Sequence, residues 1–404
     1  MKRGGSARHS WPLRQSRGKN LLRHTQSSGA ASCTEKLFQF CALIKTVNSA
    51  SNKNAQGVSA GRASLALVCV LTLCESRVWA AENVGPVVAL GAGVRAETLA
   101  VIVNDEDPVS VEIAEYYRKR RSIPTANIIH VAFKPGAPVM SAEDFARIKA
   151  QVDTHTPSAV QAFALTWSAP YRVDCMSITS AFAFGFDRGH CAQGCKATKF
   201  NSYFNSKSAL PYYDHKIRPT MAVTGSSLEE AKKLIDRGIA SDGTQPAGTA
   251  YLVTTPDKAR SVRSSLFPLA SKTVLPASGV LVAQVNAEYI ENRRDVMFYF
   301  TGAVRVPKIE SNTYLPGAIA DHLTSAGGQL TNSGQMSILR WLDAGATASY
   351  GAVVEPCNIV AKFPHPAFVI GFYTRGASLI ETYWKSVAMP GQGIFVGEPL
   401  ARPY

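Results

Sequence analysis

The chain has 404 residues, 46% of them hydrophobic and 18% charged, enough to bury one large core or two modest ones. Its formal charge of +14 is concentrated at the front: the first 80 residues hold 12 basic and 2 acidic side chains, leaving 31 and 27, or +4, for the rest. Functions that need a strongly basic surface, for nucleic acid or for membrane lipid, therefore lose their basis.

Residues 1–60 are basic and rich in Ser and Asn, and fit no part of an export signal. They read as an upstream extension from a start assigned too early, or as disorder. Within 61–80, the run Ala63 to Cys74 follows Arg62 and precedes Val78-Trp79-Ala80, which places small residues at the positions a signal peptidase reads. The run is too short for a bilayer, which takes about 20 apolar residues. The mature chain is expected to begin at Ala81, to lie in the periplasm or outside the cell, and to have no membrane span. Four cysteines, Cys175, Cys191, Cys195 and Cys357, remain in it.

In chain order, the apolar run Leu99 to Val103 predicts a strand, and Asp107-Pro108 opens a helix through Arg121 with Ile113, Ala114 and Tyr117 on its apolar stripe. A strand at 127–131, a helix at 141–152 and a strand at 160–166 continue a β-α-β-α-β opening, the pattern of a parallel sheet covered by helices. The polar stretch 171–216 interrupts the rhythm and reads as a Cys-bearing insertion between two α/β halves, 81–170 and 217–404. After it come a strand at 219–223 and a helix headed by a capping box at Ser226 to Glu229 and closed at Gly238. Then follow a strand at 248–253, a helix at 256–266 and strands at 280–285 and 296–300. The last third predicts helices at 318–325 and 336–344, a strand at 347–351 and a helix capped by Ser378 and Glu381. The fold class is α/β: three layers around a largely parallel central sheet, of flavodoxin-like kind.

Two groups could carry chemistry. On the predicted helix at 318–325, Asp321 and Ser325 share a face and His322 lies three residues from Ser325, so His322 could serve as general base beside a carboxylate. Glu355-Pro356-Cys357-Asn358 follows a strand, where open α/β sheets place ligands, and Cys357 could be a nucleophile with His322 or His365 as base. Trp167 and Tyr171-Arg172 could line the same cleft. For the cysteines of the insertion, an exported chain favours a bridge between Cys191 and Cys195, or between Cys175 and one of them, over any use of Cys357. Alternatively Cys175, His190, Cys191 and Cys195 could hold a metal tetrahedrally. After residue 80 neither a Walker A, an HExxH nor a GxSxG motif occurs, and no cofactor is expected.

Three segments, Leu99 to Pro124, Gly317 to Gly328 and Gly345 to Tyr404, resemble a family of exported bacterial proteins found in genomes that carry the exosortase, PEP-CTERM sorting system. That resemblance implies an envelope role with a protein or polysaccharide partner. More distantly, the opening elements and LTWSAPYR resemble gingipain-type cysteine peptidases of caspase-like fold, in which a His-Gly pair ends one strand and a Cys the next. Here Thr301-Gly302 stands at the first position and Ser311-Asn312 at the second, so both expected catalytic residues are missing. The two readings are an accessory or binding protein of the export system and a diverged caspase-like hydrolase using Asp321, His322, Glu355 and Cys357.

Overall fold

The computed structural model describes residues 93–404 except Gln193, so the expected export signal and its cleavage at Ala81 lie outside the described residues. The opening follows the sequence closely. In β1 (Leu99–Asn104) all six residues are buried, as expected of a strand covered on both faces. Asp107 caps α1 (Pro108–Arg121) by accepting the Val109 N–H at 3.0 Å, and Ile113, Ala114 and Tyr117 are buried beneath it. The strands β2 (Ile128–Val131) and β3 (Val139–Met140), the helix α2 (Ala142–His155) and β4 (Ala162–Leu165) complete it.

The stretch expected to separate two halves, 171–216, contains β5 (Arg172–Val173), β6 (Met176–Ser177), α3 (Ile178–Phe184) and α4 (Pro211–His215). It leads to β7 (Thr220–Ala222), which pairs directly with β4, so the stretch is inserted between neighbours of one half-sheet. The helix α5 (Leu228–Ser241) is capped by Ser227, one residue later than predicted, and runs past Gly238. After β8 (Thr249–Thr254), the helix predicted at 256–266 is instead a 3-10 segment, Ser261–Leu266, that leads into α6 (Phe267–Thr273). Then come β9 (Leu281–Asn286) and β10 (Val296–Gly302).

The largest departure follows. The helix predicted at 318–325 is part of a ten-residue strand, β11 (Tyr314–Leu323). Ala-Ile-Ala-Asp-His-Leu is a good helical composition, but the segment is held between β10 and a further strand with both faces covered, and a short run of this kind has no periodicity to set it apart. The chain finishes with α7 (Leu339–Asp343), β12 (Ala348–Ala352), α8 (Pro366–Tyr373), α9 (Leu379–Trp384) and β13 (Gly393–Gly397). The capping box on α9 is formed as expected, with the Glu381 carboxylate accepting the Ser378 N–H at 3.2 Å.

Ten strands form one sheet in the order β2-β1-β4-β7-β13-β12-β11-β10-β8-β9. Every neighbouring pair is parallel except β12 with β13, which are antiparallel. The sheet is thus two five-stranded halves with the same flavodoxin-like strand order, related by an approximate two-fold through the β12–β13 pair. The final strand of the chain completes the first half. Helices α1, α5, α6, α8 and α9 cover one face, and α2, α3 and α7 the other, giving the three layers expected. Because β12 and β13 oppose each other, the carboxyl ends of the two half-sheets point to opposite edges.

Two disulfides tie the insertion down: Cys175–Cys191 and Cys195–Cys357. The first is among the pairings expected. The second uses Cys357, which the sequence argument ranked below the pairings within the insertion, and it fastens the insertion to the turn that follows β12.

Candidate functional site

Alternation along β11 decides the fate of the first candidate group. Asp321 shares a face with Ile319 and Leu323, whereas His322 shares the opposite one with Ala318 and Ala320. They cannot form one polar network, and the helical face with Ser325 does not exist. Asp321 is fully buried against Arg263, which is itself only 1% exposed, at 2.5 Å; the guanidinium also donates to the Thr301 carbonyl at 2.8 Å. Burial pushes the Asp321 carboxyl up to about 6, with Arg263 pulling it back down.

His322 is held in a form unsuited to base catalysis. The indole N–H of Trp341 donates to its Nδ1 at 2.9 Å, and since an indole nitrogen only donates, Nδ1 must be the unprotonated nitrogen. The neutral ring then carries its proton on Nε2. Burial, helped by the charge of Arg263, pushes the imidazole down to about 3. The neighbouring Thr301, its register partner on β10, cannot be deprotonated by an Nε2 that already bears hydrogen.

This environment yields an acid-stability prediction. A histidine lowered to about 3 in the fold and near 6.5 when unfolded contributes stability that is complete above pH 6.5 and is lost as pH falls toward 3. Between pH 7 and pH 4.5 His322 should account for a loss of about 3 kcal/mol. In His322→Gln the amide oxygen can accept the Trp341 N–H without titrating, so urea unfolding at the two pH values should show a correspondingly smaller difference. Equal losses in both proteins would contradict this.

The second group is not a thiol site. Cys357 is bonded to Cys195, and the Glu355 carboxylate accepts the Cys357 backbone N–H at 2.7 Å, closing its own turn. His365 precedes α8 with its ring stacked on Phe368 at 4.4 Å, and burial pushes it down to about 4. The alternative metal set fails for the same reason as the nucleophile: Cys175, Cys191 and Cys195 are oxidised, and His190 is stacked on Phe184 at 4.5 Å. At the positions of the peptidase dyad, Thr301-Gly302 does end β10, but Ser311-Asn312 precedes β11, where Asn312 accepts the Arg293 N–H at 3.0 Å. The carboxyl end of β11 is Leu323, with Thr324 next in the chain. A side chain at Gly302 would lie 1.9 Å from the Arg260 carbonyl, so the chain after β8 packs closely on the carboxyl end of β10.

The first half-sheet differs. Over the carboxyl ends of β1, β4 and β7 lies an open cleft of about 340 Å³, bordered by Asp107 and Val109 at the start of α1, Trp167 to Ala169 after β4, and Thr224 to Leu228 leading into α5. This is the switch point between strands one and three of the flavodoxin-like order, where such sheets bind ligands. Trp167 was singled out in the sequence; its expected neighbours Glu355 and Cys357 follow β12 and so belong to the opposite edge of the sheet. Thr224, Ser226 and Ser227 were visible only as a helix start. A strand running into Thr-Gly-Ser-Ser before a long helix was the signal that could have marked them.

No protein-family model matches the chain, and no curated protein matches it in sequence. Among solved structures it is similar to one described as "Structure of Protease", with 11% identity over 76% of this chain and 79% of that chain and a TM-score of 0.36. A likeness of that size carries no argument about activity.

Proposed function

We propose that the protein is a non-catalytic binding or accessory component of the cell envelope, exported and linked to the exosortase, PEP-CTERM surface-protein or exopolysaccharide system. The observation that carries this reading is the contrast between the two crevices. The one over β1, β4 and β7 is open, while at the carboxyl end of β10, where a caspase-like hydrolase would work, backbone packs directly on Gly302 and Thr301 lies beside a histidine of the wrong tautomer. The two disulfides fit an oxidising compartment, and no helix among the described residues is long and apolar enough to cross a membrane.

Complementation of a deletion strain separates this from the hydrolase alternative. His322→Gln and Glu355→Gln chains should restore surface-protein or exopolysaccharide display, because neither residue is required by a binding role. Val109→Trp, which fills the mouth of the open cleft from an exposed position, should not. Loss of display with a folded His322→Gln protein, or full display with Val109→Trp, would overturn the proposal.

A further inference from the structure

The cleft over β1, β4 and β7 also limits what can enter it. We infer that it takes an uncharged, hydroxyl-rich ring ligand, one or two sugar units of a glycan; this rests on the cleft being the binding site proposed above. Three observations point there. At about 340 Å³ the space is at the lower end of small-molecule sites, which span about 300–1,000 Å³, and suits one or two rings.

The second observation is the pattern of charge. Among the described residues no lysine or arginine borders the cleft, and the one ionisable group there is the Asp107 carboxylate, already accepting from the Val109 N–H at 3.0 Å. Asp105 and Glu106 adjoin it in the chain, and Glu229 and Glu230 occupy the first turn of α5. Glu230 is paired with Lys233, Asp105 with His130, and Lys134 adjoins Pro135, but Asp107, Glu106 and Glu229 still oppose the positive ends of the two helix dipoles and disfavour a phosphate or uronate.

The third is the presence of hydroxyls that line the cleft without a protein partner. Thr224 is only 3% exposed, and its hydroxyl and that of Ser168, both on the cleft wall, make no hydrogen bond to another described residue and are open to solvent. A hydroxyl both donates and accepts, and so matches the reversible polarity of sugar hydroxyls. Val109, Pro135, Ala169 and Leu228 supply apolar wall for the C–H face of a ring. An extended peptide would instead pair with a strand edge, and the strands beneath the cleft, β1, β4 and β7, each have neighbours on both sides.

The test uses the full chain purified from its host after export, titrated calorimetrically and by saturation-transfer NMR. The probes are neutral disaccharides (cellobiose, maltose, lactose, chitobiose), with glucuronic acid, glucose 6-phosphate and tetra-alanine for comparison. At least one neutral disaccharide should bind, and Thr224→Val and Ser168→Ala should each weaken it by up to about tenfold, the effect of one lost hydrogen bond. Val109→Trp, at an exposed position, should abolish binding without affecting the fold. Preference for an anionic sugar or for the peptide, blocked by Val109→Trp, would overturn the ligand class and leave the cleft standing as a binding site. Sugar binding indifferent to all three substitutions would overturn the site itself. No binding of any disaccharide at 10 mM, about the weakest interaction such titrations resolve, would also overturn the inference.

Discussion

Replacing Asp321 with alanine is expected to destabilise the protein by about 3–5 kcal/mol, measured as the change in unfolding free energy in urea at pH 7. Asp321 and Arg263 are both about 1% exposed, so removing the carboxylate leaves a guanidinium in the interior with no anion beside it. The remaining acceptors, the carbonyls of Thr301 at 2.8 Å and Pro364 at 3.4 Å, do not neutralise it. The double change Arg263→Met with Asp321→Leu should recover most of the loss, because two apolar side chains of similar size avoid the desolvation of both charges. If Asp321 instead served catalysis, the single change would abolish function while leaving stability nearly intact. A loss below 1 kcal/mol would show that water reaches Arg263 and that the ion pair is not the structural element described above.

This ion pair also shows where sequence reading stops. The strands β1, β4, β7, β8 and β10 were legible because each is a short, unbroken apolar run buried on both faces, and α1 and α2 because Asp107 and Ser141 mark their first turns. In β11 the same kind of burial works against recognition. Asp321 and His322 are polar yet buried, each held by one distant partner, Arg263 or Trp341, that no local pattern announces. Once the segment is taken for a helix, the two side chains fall into a false cluster with Ser325. The disulfide to Cys357 was hidden for a similar reason, since it joins residues 162 positions apart and short separations are the natural guess. The cleft was legible only in fragments, Trp167 in one place and Thr224 to Ser227 in another, because β1 and β7 are separated by more than a hundred residues of chain.

Removal of residues 393–404 is expected to abolish the folded state altogether. β13 is buried along its whole length and sits at the centre of the sheet, parallel to β7 on one side and antiparallel to β12 on the other, so without it the two half-sheets share no strand pairing. The loss extends past the strand. Glu398, fully buried, accepts the Tyr117 hydroxyl at 2.6 Å and pairs with Arg121, which makes it the anion that neutralises the end of α1. Leaving Arg121 with only Asp242, and β7 and β12 with open edges, exposes unpaired backbone on both halves. The truncated chain should therefore aggregate or remain unfolded, with no cooperative thermal transition by circular dichroism and rapid cleavage by trypsin throughout. Supplying a synthetic 393–404 peptide during refolding should restore a transition if the strand can pair in trans. A truncated protein that stays soluble and melts cooperatively would mean that each half-sheet folds independently and that the β12–β13 pairing is dispensable for the architecture.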